Sequence, residues 1–360
     1  MSDELRLRFV GVEDLPKDEV LAVAASAGPE ELASLAAHLG SAARRFVVDG
    51  RVLQGPLKDH GLASTEEVLE VSVIRPRTTS YVAGTPTDDW IGALCAGPVV
   101  GSYDGTVVSG NSVLCQHQGA VKAVDAKGDL VASGGHDHLV YIRTDRDTVG
   151  EGHGNSVDAI SVAPDSTAVA SGDWTGMLFL WARQDADKIE PKATHKAHAQ
   201  CLSGLAWTDE TLASCSWDGT IKIWGADRLD LAASSPATGV VLTCLCAPTS
   251  HLFVAGAHDS TIRVFDRRDA VVKPRKTKYF ATKHAETVSA IAACPTDPNL
   301  IASASHDGRA FVWDLRAFEP LHCLEPPTSN QRKLLALAWD RRDNIFLGGD
   351  DSTLHHFTVR

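Results

Sequence analysis

Alternating apolar and polar residues, interrupted by short Asp-containing turns, recur along most of the chain. Alternation predicts half-buried strands, and an Asp-Gly or Asp-Ser pair between two such runs predicts a hairpin. Six segments share this pattern, and their turn residues are Asp104, Asp137, Asp218, Asp259, Asp307 and Asp351. A seventh segment, SGDWTGMLFLW, has Thr175 where the others have Asp.

These turns recur with a nearly regular period, since successive turn residues are 33 to 48 positions apart. A WD repeat spans about 40–45 residues and supplies the four strands of one propeller blade. The sequence therefore predicts an all-β, seven-bladed propeller over residues 88–360. Blades 1, 3, 5 and 7 depart from the pattern, so we expect packing to hold them more than polar contacts. Blade 1 lacks the aromatic residue, and blade 3 has Thr175 at the turn position. Blade 5 lacks the upstream His, and blade 7 has Asn330 where His is expected.

Polar residues recur around the predicted turns in a constant order. Histidines precede four of the turns, at His117, His153, His198 and His284. Two segments carry a complete set, which is His198, Ser214, Asp218 and Trp224 in one and His284, Ser303, Asp307 and Trp313 in the other. This resembles the WD-repeat family, in which such sets link the strands of a blade. A neutral His can donate to a buried carboxylate while it accepts from a hydroxyl group.

The same residue types also form nucleophilic triads. A triad needs one exposed Ser beside an oxyanion hole. A set that repeats from blade to blade does not describe a single active site, so we interpret these residues as a structural polar network and expect no catalytic residue.

The first 75 residues have a different pattern. Strands are predicted at 5–12, 18–26 and 68–74, a hairpin at 46–53, and a helix at 29–39 that starts with Pro and carries acids in its first turn. This order resembles ubiquitin and predicts an N-terminal β-grasp (ubiquitin-like, α+β) domain.

The predicted domain boundaries follow from these two patterns. The ubiquitin-like domain covers 1–75, a linker with a ring-closing strand covers 76–87, and the propeller covers 88–360. The last blade begins near Leu334, which leaves room for only three strands before the end of the sequence. An open sheet edge is prone to aggregation, so we expect Thr79–Ala83 to supply the missing outer strand.

Composition narrows the function. The formal net charge of -12 argues against coating of nucleic acid by bulk electrostatics. The eight cysteines contain no C-x-x-C pair, which favours buried reduced thiols and a reducing compartment over disulfides or zinc. No apolar run approaches the roughly 18 residues that span a bilayer, and no phosphate-binding, dinucleotide-binding, zinc or calcium motif is present. We therefore expect no enzyme activity, no cofactor, no metal site of its own and no membrane contact.

The junction between the two predicted domains is the most specific stretch. FVVDGRVLQGPLKDHGLASTEEVLEVSV, followed by TDDWIGAL and VVGSYDGT, resembles the WD-repeat subunit of the PeBoW ribosome-assembly complex. The resemblance implies a non-catalytic scaffold in large ribosomal subunit biogenesis and rRNA maturation, in the nucleolus and nucleoplasm. It implies that the propeller binds the block-of-proliferation WD-repeat protein, which in turn holds pescadillo. It also implies that the N-terminal ubiquitin-like domain, called the head below, docks the adhesion domain of the AAA ATPase midasin. Midasin then releases the complex from the pre-ribosomal particle.

Two sets of residues are candidate contact sites. By the same resemblance, Glu66 is the carboxylate that enters the metal site of midasin, with Glu67 as the second choice; the alternative is a solvated acidic turn. A basic stretch between blades 5 and 6 is a candidate RNA contact or import patch, or else a solvated loop. It includes Arg267, Arg268, Lys273, Arg275, Lys276 and Lys278.

Three other functions remain open at this point. A notchless-like assembly factor has a similar head but eight blades. A WD-repeat substrate adaptor of a ubiquitin ligase would use the propeller to read a degron. A propeller hydrolase would place its chemistry around the central channel.

Overall fold

The computed structural model divides the chain into two compact units, one formed mainly by residues 1–78 and the other mainly by residues 79–359. The structure describes residues 4–10, 20–24, 27–38, 45–48, 51–53, 57, 68–74, 78–144, 147–185, 188–209, 211–268, 274–280, 283–317, 320–327 and 332–359.

The N-terminal unit is a five-stranded sheet with one helix. Its elements are β1 (Glu4–Val10), β2 (Val20–Ala24), α1 (Pro29–His38), β3 (Arg45–Val48), β4 (Arg51–Val52) and β5 (Val68–Ile74). The strand order is β2-β1-β5-β3-β4, and β1 and β5 run parallel while the other pairs are antiparallel.

Local sequence explains the helix of this unit. The helix begins at Pro29, whose ring fixes φ and whose missing N–H would have had no partner in the first turn. The Glu31 carboxylate accepts a hydrogen bond from the backbone N–H of Gly28, which is one half of a capping box. Leu32 is completely buried, together with Leu7 and Phe46 of the sheet. The helix therefore packs its apolar side into a small core of its own.

The second unit contains seven four-stranded sheets within the described residues, which form the blades of a propeller. One strand, β6 (Thr79–Pro86), precedes them all. Blade 1 contains β7 (Ile91–Cys95), β8 (Val99–Ser102), β9 (Thr106–Ser109) and β10 (Ser112–Gln116). Blade 2 contains β11 (Val121–Lys127), β12 (Leu130–Gly135), β13 (Val140–Arg143) and β14 (Asp147–Gly150). Blade 3 contains β15 (Val157–Val162), β16 (Ala168–Asp173), β17 (Met177–Asp185) and β18 (Lys188–Lys196).

The later blades follow the same plan. Blade 4 contains β19 (Leu202–Trp207), β20 (Thr211–Ser216), β21 (Ile221–Gly225) and β22 (Leu231–Ser234). Blade 5 contains β23 (Leu242–Cys246), β24 (Leu252–Ala257), β25 (Ile262–Asp266) and β26 (Pro274–Phe280). Blade 6 contains β27 (Val288–Ala293), β28 (Leu300–Ser305), β29 (Ala310–Asp314) and β30 (Pro320–Leu324). Blade 7 contains β31 (Leu334–Trp339), β32 (Asn344–Gly349), β33 (Thr353–Val359) and, as its outer strand, β6.

Each turn between the second and third strands of a blade needs one residue in the left-handed region. That residue follows the turn position in all seven blades, and it is Gly105, His138, Gly176, Gly219, Ser260, Gly308 or Ser352. Glycine adopts this conformation without steric cost. At Gly176 space is also limiting, because a Cβ would lie 2.5 Å from the carbonyl oxygens of His198 and Gln200.

The hydrophobic core lies between neighbouring blades. Leu178 and Leu180 of blade 3, for example, pack in one cluster with Leu202 and Leu212 of blade 4. The same packing joins the last blade to the first, where a Cβ on Gly348 would lie 2.4 Å from the side chain of Ile91. Because a blade buries its faces only against its neighbours, the ring is stable as a closed set.

The cysteines form no disulfide and most are buried. Burial raises the pKa of Cys244 to about 11 and raises the pKa values of Cys95, Cys215 and Cys246 as well. These thiols are therefore weak nucleophiles at neutral pH.

No helix of the described residues is long and apolar enough to cross a membrane.

Candidate functional site

Blades 4 and 6 each bring together the four polar residues that the sequence singles out. In blade 4, His198 Nδ1 lies 3.1 Å from Asp218 Oδ2 and His198 Nε2 lies 2.8 Å from Ser214 Oγ. The Trp224 indole N–H donates to the same hydroxyl at 2.9 Å. Blade 6 repeats the arrangement, in a set whose members are His284, Ser303, Asp307 and Trp313. These hydrogen bonds connect the second and third strands of each blade to the loop that precedes its first strand.

A third complete set lies in blade 3, where the sequence predicts a degenerate copy. His153 Nδ1 lies 2.9 Å from Asp173 Oδ2, His153 Nε2 lies 2.7 Å from Ser171 Oγ, and Trp181 donates to that hydroxyl at 2.7 Å. The expectation that packing replaces the polar network in this blade is therefore wrong. Asp173 precedes the turn position by two residues, yet its carboxylate accepts from the N–H of Met177, the same turn N–H that Asp binds in the other blades.

Blades 5 and 7 use a different partner for the turn carboxylate. Arg263 donates to Asp259 Oδ2 at 2.8 Å, and His355 Nε2 lies 2.7 Å from Asp351 Oδ2. Both partners lie four residues after the turn Asp, on the third strand, and both are buried. In these two blades the missing upstream His is therefore replaced from within the hairpin.

Electrostatics favour an ionised carboxylate and a neutral imidazole in blade 4. Burial alone would raise the pKa of Asp218, but hydrogen bonds from His198 and Thr220 outweigh burial and lower it. Burial lowers the pKa of His198, against the attraction of Asp218. The hydrogen bonds then all donate in one direction. The Trp224 indole donates to Ser214, Ser214 donates to His198, and His198 donates to Asp218.

This geometry does not suit nucleophilic catalysis. Ser171, Ser214 and Ser303 are completely buried, and each hydroxyl oxygen already accepts an indole hydrogen bond. A nucleophilic Ser must be exposed to its substrate, so a substrate carbonyl cannot reach these buried hydroxyls. Within the described residues, no group of three or more His, Cys, Asp or Glu side chains could hold a metal ion.

A β-bulge in the first strand of every blade turns one residue toward the central channel. The bulged residues are Gly92, Lys122, Asp158, Ser203, Thr243, Ser289 and Leu335. All seven line one cavity of about 650 Å³. We call the side of the propeller that carries the turns between the second and third strands the turn face. Residues that precede these turns, including Tyr103, Trp217, His258 and His306, line the same cavity.

Aromatic side chains surround this cavity on the turn face. Trp90 packs against Tyr103 with ring centroids 5.6 Å apart, and Trp174 packs edge-on against Trp217 at 4.6 Å. Trp90 is 45% exposed and Trp174 is 44% exposed. We call these four residues the aromatic rim. Large exposed aromatic side chains are typical of protein-binding surfaces, because they bury much area with little loss of entropy.

Comparison with known proteins agrees with this fold. The family described as "WD domain, G-beta repeat" matches residues 146–182, 189–225, 233–266 and 275–314. The WD40 propeller domain of Doa1 superposes with a TM-score of 0.65 at 18% identity, covering 78% of this chain and 97% of that one. The likeness to Doa1 concerns the fold alone.

Sequence relatives extend over most of the chain. A "Ribosome biogenesis protein WDR12 homolog" from Chlamydomonas reinhardtii is 29% identical, covering 82% of this chain and 81% of the relative. Homologs of the same name from Anopheles gambiae and Oryza sativa subsp. japonica are 27% and 26% identical, covering 88% and 86% of this chain and 83% of each relative. The chain carries WD repeats and is similar to the WDR12 homologs over most of its length. The sequence-based recognition of the PeBoW WD-repeat subunit is thereby confirmed, and the relatives support a role in ribosome biogenesis.

Two candidate contact sites lie partly or wholly outside the described residues. Glu66 and Glu67, which the WDR12-type resemblance singles out, are outside them, and so is Lys273. Arg275, Lys276 and Lys278 belong to β26, the outer strand of blade 5. The other two basic residues contact side chains of the propeller itself. Arg268 pairs with Asp266 at 2.6 Å, and Arg267 donates to Thr211 at 3.2 Å.

Sequence reasoning missed the aromatic rim. A signal was present, because Tyr103, Trp217 and His306, which line the cavity, each stand one residue before a turn position. Blades 5 and 7 also carried a signal, since each lacks the upstream His and has Arg263 or His355 four positions after the turn Asp.

Proposed function

We propose that this protein is a non-catalytic scaffold in large ribosomal subunit biogenesis and rRNA maturation. Its propeller binds a stable protein partner through the turn face, and that partner is the block-of-proliferation WD-repeat protein, which holds pescadillo. The protein acts in the nucleolus and nucleoplasm, on the pre-ribosomal particle. The observation that carries the binding role is the exposed aromatic rim, and the WDR12 relatives support the ribosomal assignment.

The chemistry of the turn face supports a protein partner over a substrate. The rim offers apolar area beside a concave cavity. Among the described residues that line this cavity, only Lys122 and Asp158 carry a formal charge when its histidines are neutral. Burial, followed by the nearby Lys333, lowers the pKa of His306, which keeps that imidazole neutral. A surface of apolar anchors with few charges is typical of the centre of a protein–protein interface.

The N-terminal unit has a separate role in this proposal. We infer that it is a ubiquitin-like domain that recruits the midasin adhesion domain through the Glu66 carboxylate, with Glu67 as the second choice. The strand order β2-β1-β5-β3-β4, with parallel β1 and β5 and one helix after β2, supports the ubiquitin-like assignment. A carboxylate is suited to complete the coordination of a hard divalent cation on the partner.

The proposal is tested by affinity purification of the tagged full-length protein from dividing cells. Bound proteins are identified by mass spectrometry and precursor rRNA by hybridisation. We expect the wild-type protein to retain the block-of-proliferation protein, pescadillo and precursor rRNA of the large subunit. Isolation of a cullin complex in their place would contradict the proposal.

The binding face is tested with matched variants of exposed residues. Trp90→Ala combined with Trp174→Ala removes the two most exposed members of the aromatic rim, whereas Leu231→Ala removes a 52% exposed apolar side chain on the outer strand of blade 4. We expect loss of the partner with the first variant and normal recovery with the second. Equal recovery from both would show that another surface binds the partner.

A further inference from the structure

One carboxylate in the central cavity has an incomplete set of hydrogen-bond donors. Asp158 is the bulged residue of blade 3 and points into the cavity. Its Oδ1 accepts from Ser156 Oγ at 2.6 Å, whereas Oδ2 is approached by the thiol of Cys201 at 3.8 Å. A thiol is a weak donor, and a carboxylate has about four acceptor sites. Among the described residues, no Lys or Arg forms an ion pair with Asp158.

The surroundings of Asp158 leave its charge poorly compensated. Burial raises the pKa of this carboxyl group, although Ser156 and the more distant Lys122 oppose the rise. Lys122 has its own partner, because its ammonium donates to the Tyr103 hydroxyl at 2.6 Å and lies 4.3 Å from the centroid of that ring. A cation that enters the cavity from solvent would therefore find a carboxylate oxygen, Oδ2, whose partner is a weak thiol donor.

The aromatic rim provides a second attraction for a cation at the same place. Trp217 lines the cavity with Asp158, and Trp174 packs against Trp217 from the neighbouring blade. The face of an indole ring attracts a cation, and the attraction increases where water is excluded. A carboxylate and an indole that line the same concave cavity suit a planar cation that can contact both.

We propose that the mouth of the channel on the turn face binds an arginine side chain from an extended segment of a partner protein. The guanidinium donates to Asp158 Oδ2 and stacks on Trp217. Arginine suits the site better than lysine, because its planar group donates in a fork and stacks on aromatic rings. An extended segment suits it because such a segment can lie across the open mouth of the concave cavity while one of its side chains points toward Asp158. This inference rests on the proposal that the turn face is the binding face.

The test uses the full-length protein and three blocked tripeptides as probes, which are Gly-Arg-Gly, Gly-Lys-Gly and Gly-Glu-Gly. Binding is measured by titration calorimetry and by tryptophan fluorescence. We expect the arginine peptide to bind at least threefold more tightly than the lysine peptide, and the glutamate peptide not to bind. Asp158→Asn keeps the shape of the side chain and should weaken the arginine peptide at least tenfold.

Two more variants separate the site from general effects. Trp217→Leu should weaken the arginine peptide to a similar degree and reduce the fluorescence change. Asp165→Asn is the matched control, because Asp165 is an exposed carboxylate of the same blade that bonds only to Thr167, so binding should equal that of wild type. Melting temperatures within a few degrees of wild type show that each variant is folded.

Three results would overturn the inference: no binding of the arginine peptide at millimolar concentration, equal binding by Asp158→Asn, or preference for the glutamate peptide, which would point to Lys122. Failure of the proposed function is separate, because it would appear as absence of ribosomal precursors from every purification while the peptide titrations remain unchanged.

Discussion

Thr79 and Val359 lie opposite each other as Cα partners in the antiparallel pair of β6 and β33. The outer strand of the last blade therefore comes from the segment that precedes the first blade, and the ring is closed without a covalent link. Side chains support the closure, since Ser80 Oγ lies 2.7 Å from Thr358 Oγ1 and the Tyr81 ring lies 5.2 Å from that of Phe357. Because β6 is exposed along nearly its whole length, we expect the ring to open most easily at this pair.

We expect a disulfide across this pair to stabilise the propeller. Ser80→Cys with Thr358→Cys replaces two directly opposite residues, and opposite residues of antiparallel strands have the Cα spacing that a disulfide needs. The oxidised variant should gain about 2–4 kcal/mol in the free energy of unfolding, because the bond closes a long loop. Urea unfolding with and without reductant measures the gain.

The control for this prediction is Ser80→Cys alone, which cannot form the bond and should unfold like wild type in both conditions. An oxidised double variant of unchanged stability would mean that opening at β6 does not limit the unfolding of the ring.

The turn carboxylates should contribute to stability in three blades. We expect Asp173→Ala, Asp218→Ala and Asp307→Ala each to destabilise the propeller, since each leaves a buried His without its acceptor. The cost is about 1–3 kcal/mol per unsatisfied group. Asp173→Ala should be the most harmful, because Asp173 is completely buried and binds His153, Thr175 and Met177.

Thermal and urea unfolding test the order of these effects. Asp227→Ala is the control, because its side chain is 96% exposed and its nearest cation, Lys192, is 3.7 Å away. An exposed pair of this kind contributes little. If Asp173→Ala behaves like Asp227→Ala, the polar set of blade 3 has no role in stability.

Acid should weaken blade 4 through His198. Burial holds the pKa of His198 below its ordinary value of 6.5, so the unfolded chain binds a proton at a pH where the folded chain does not. The contribution of His198 is therefore complete above pH 6.5 and is lost as the pH falls through the interval below it. Asp218 acts in the same direction at lower pH, because its folded-state pKa lies below its ordinary value of 3.8.

The measurement is the free energy of unfolding at pH 7.5, 6.5 and 5.5 for wild type, His198→Gln and Trp224→Phe. The Gln variant should be less stable at pH 7.5 but should lose less stability toward pH 5.5. The Phe variant loses the indole donor and keeps the His–Asp pair, so it should be less stable with the slope of wild type. A steeper slope for His198→Gln would contradict the assignment of a neutral imidazole.

In the ubiquitin-like head, Glu66→Ala should abolish the binding of midasin without affecting the binding of the propeller's partner. Removing the carboxylate deletes the ligand that we propose for the metal on midasin, whereas the partner of the propeller should still bind. The expected phenotype is a protein that enters pre-ribosomes and is not released. Binding to the midasin adhesion domain is measured with magnesium and with chelator, for wild type, Glu66→Ala and Glu67→Ala.

Glu67→Ala is both the control and the second choice. Loss of binding with Glu67→Ala alone would move the contact by one residue. Binding that resists chelator and both substitutions would rule out a metal bridge from this acidic pair.

Much of the propeller could be predicted because its signals are local. The turn at Asp218–Gly219 needs only an acceptor for the N–H of Thr220 and a residue that tolerates positive φ, and both are visible in the sequence. The network of blade 4 was predictable for the same reason, since its Ser, Asp and Trp recur at the same spacing in blade 6. Blade 3 defeated this reasoning because Asp173 reaches the turn from two residues earlier, and only side-chain geometry reveals that the oxygen arrives at the same N–H.

The sequence by itself determined the number of blades, the position of each turn and the helix at Pro29, because turn chemistry and hydrophobic periodicity act over a few residues. Only the tertiary structure decided which side chains meet across the channel. Lys122, Asp158 and Trp217 come from three different blades, and each is aimed by a bulge or a turn whose direction depends on the closed ring. The pairing of His355 with Asp351, in place of an upstream His, also depends on a buried site that exists only once the strands have packed.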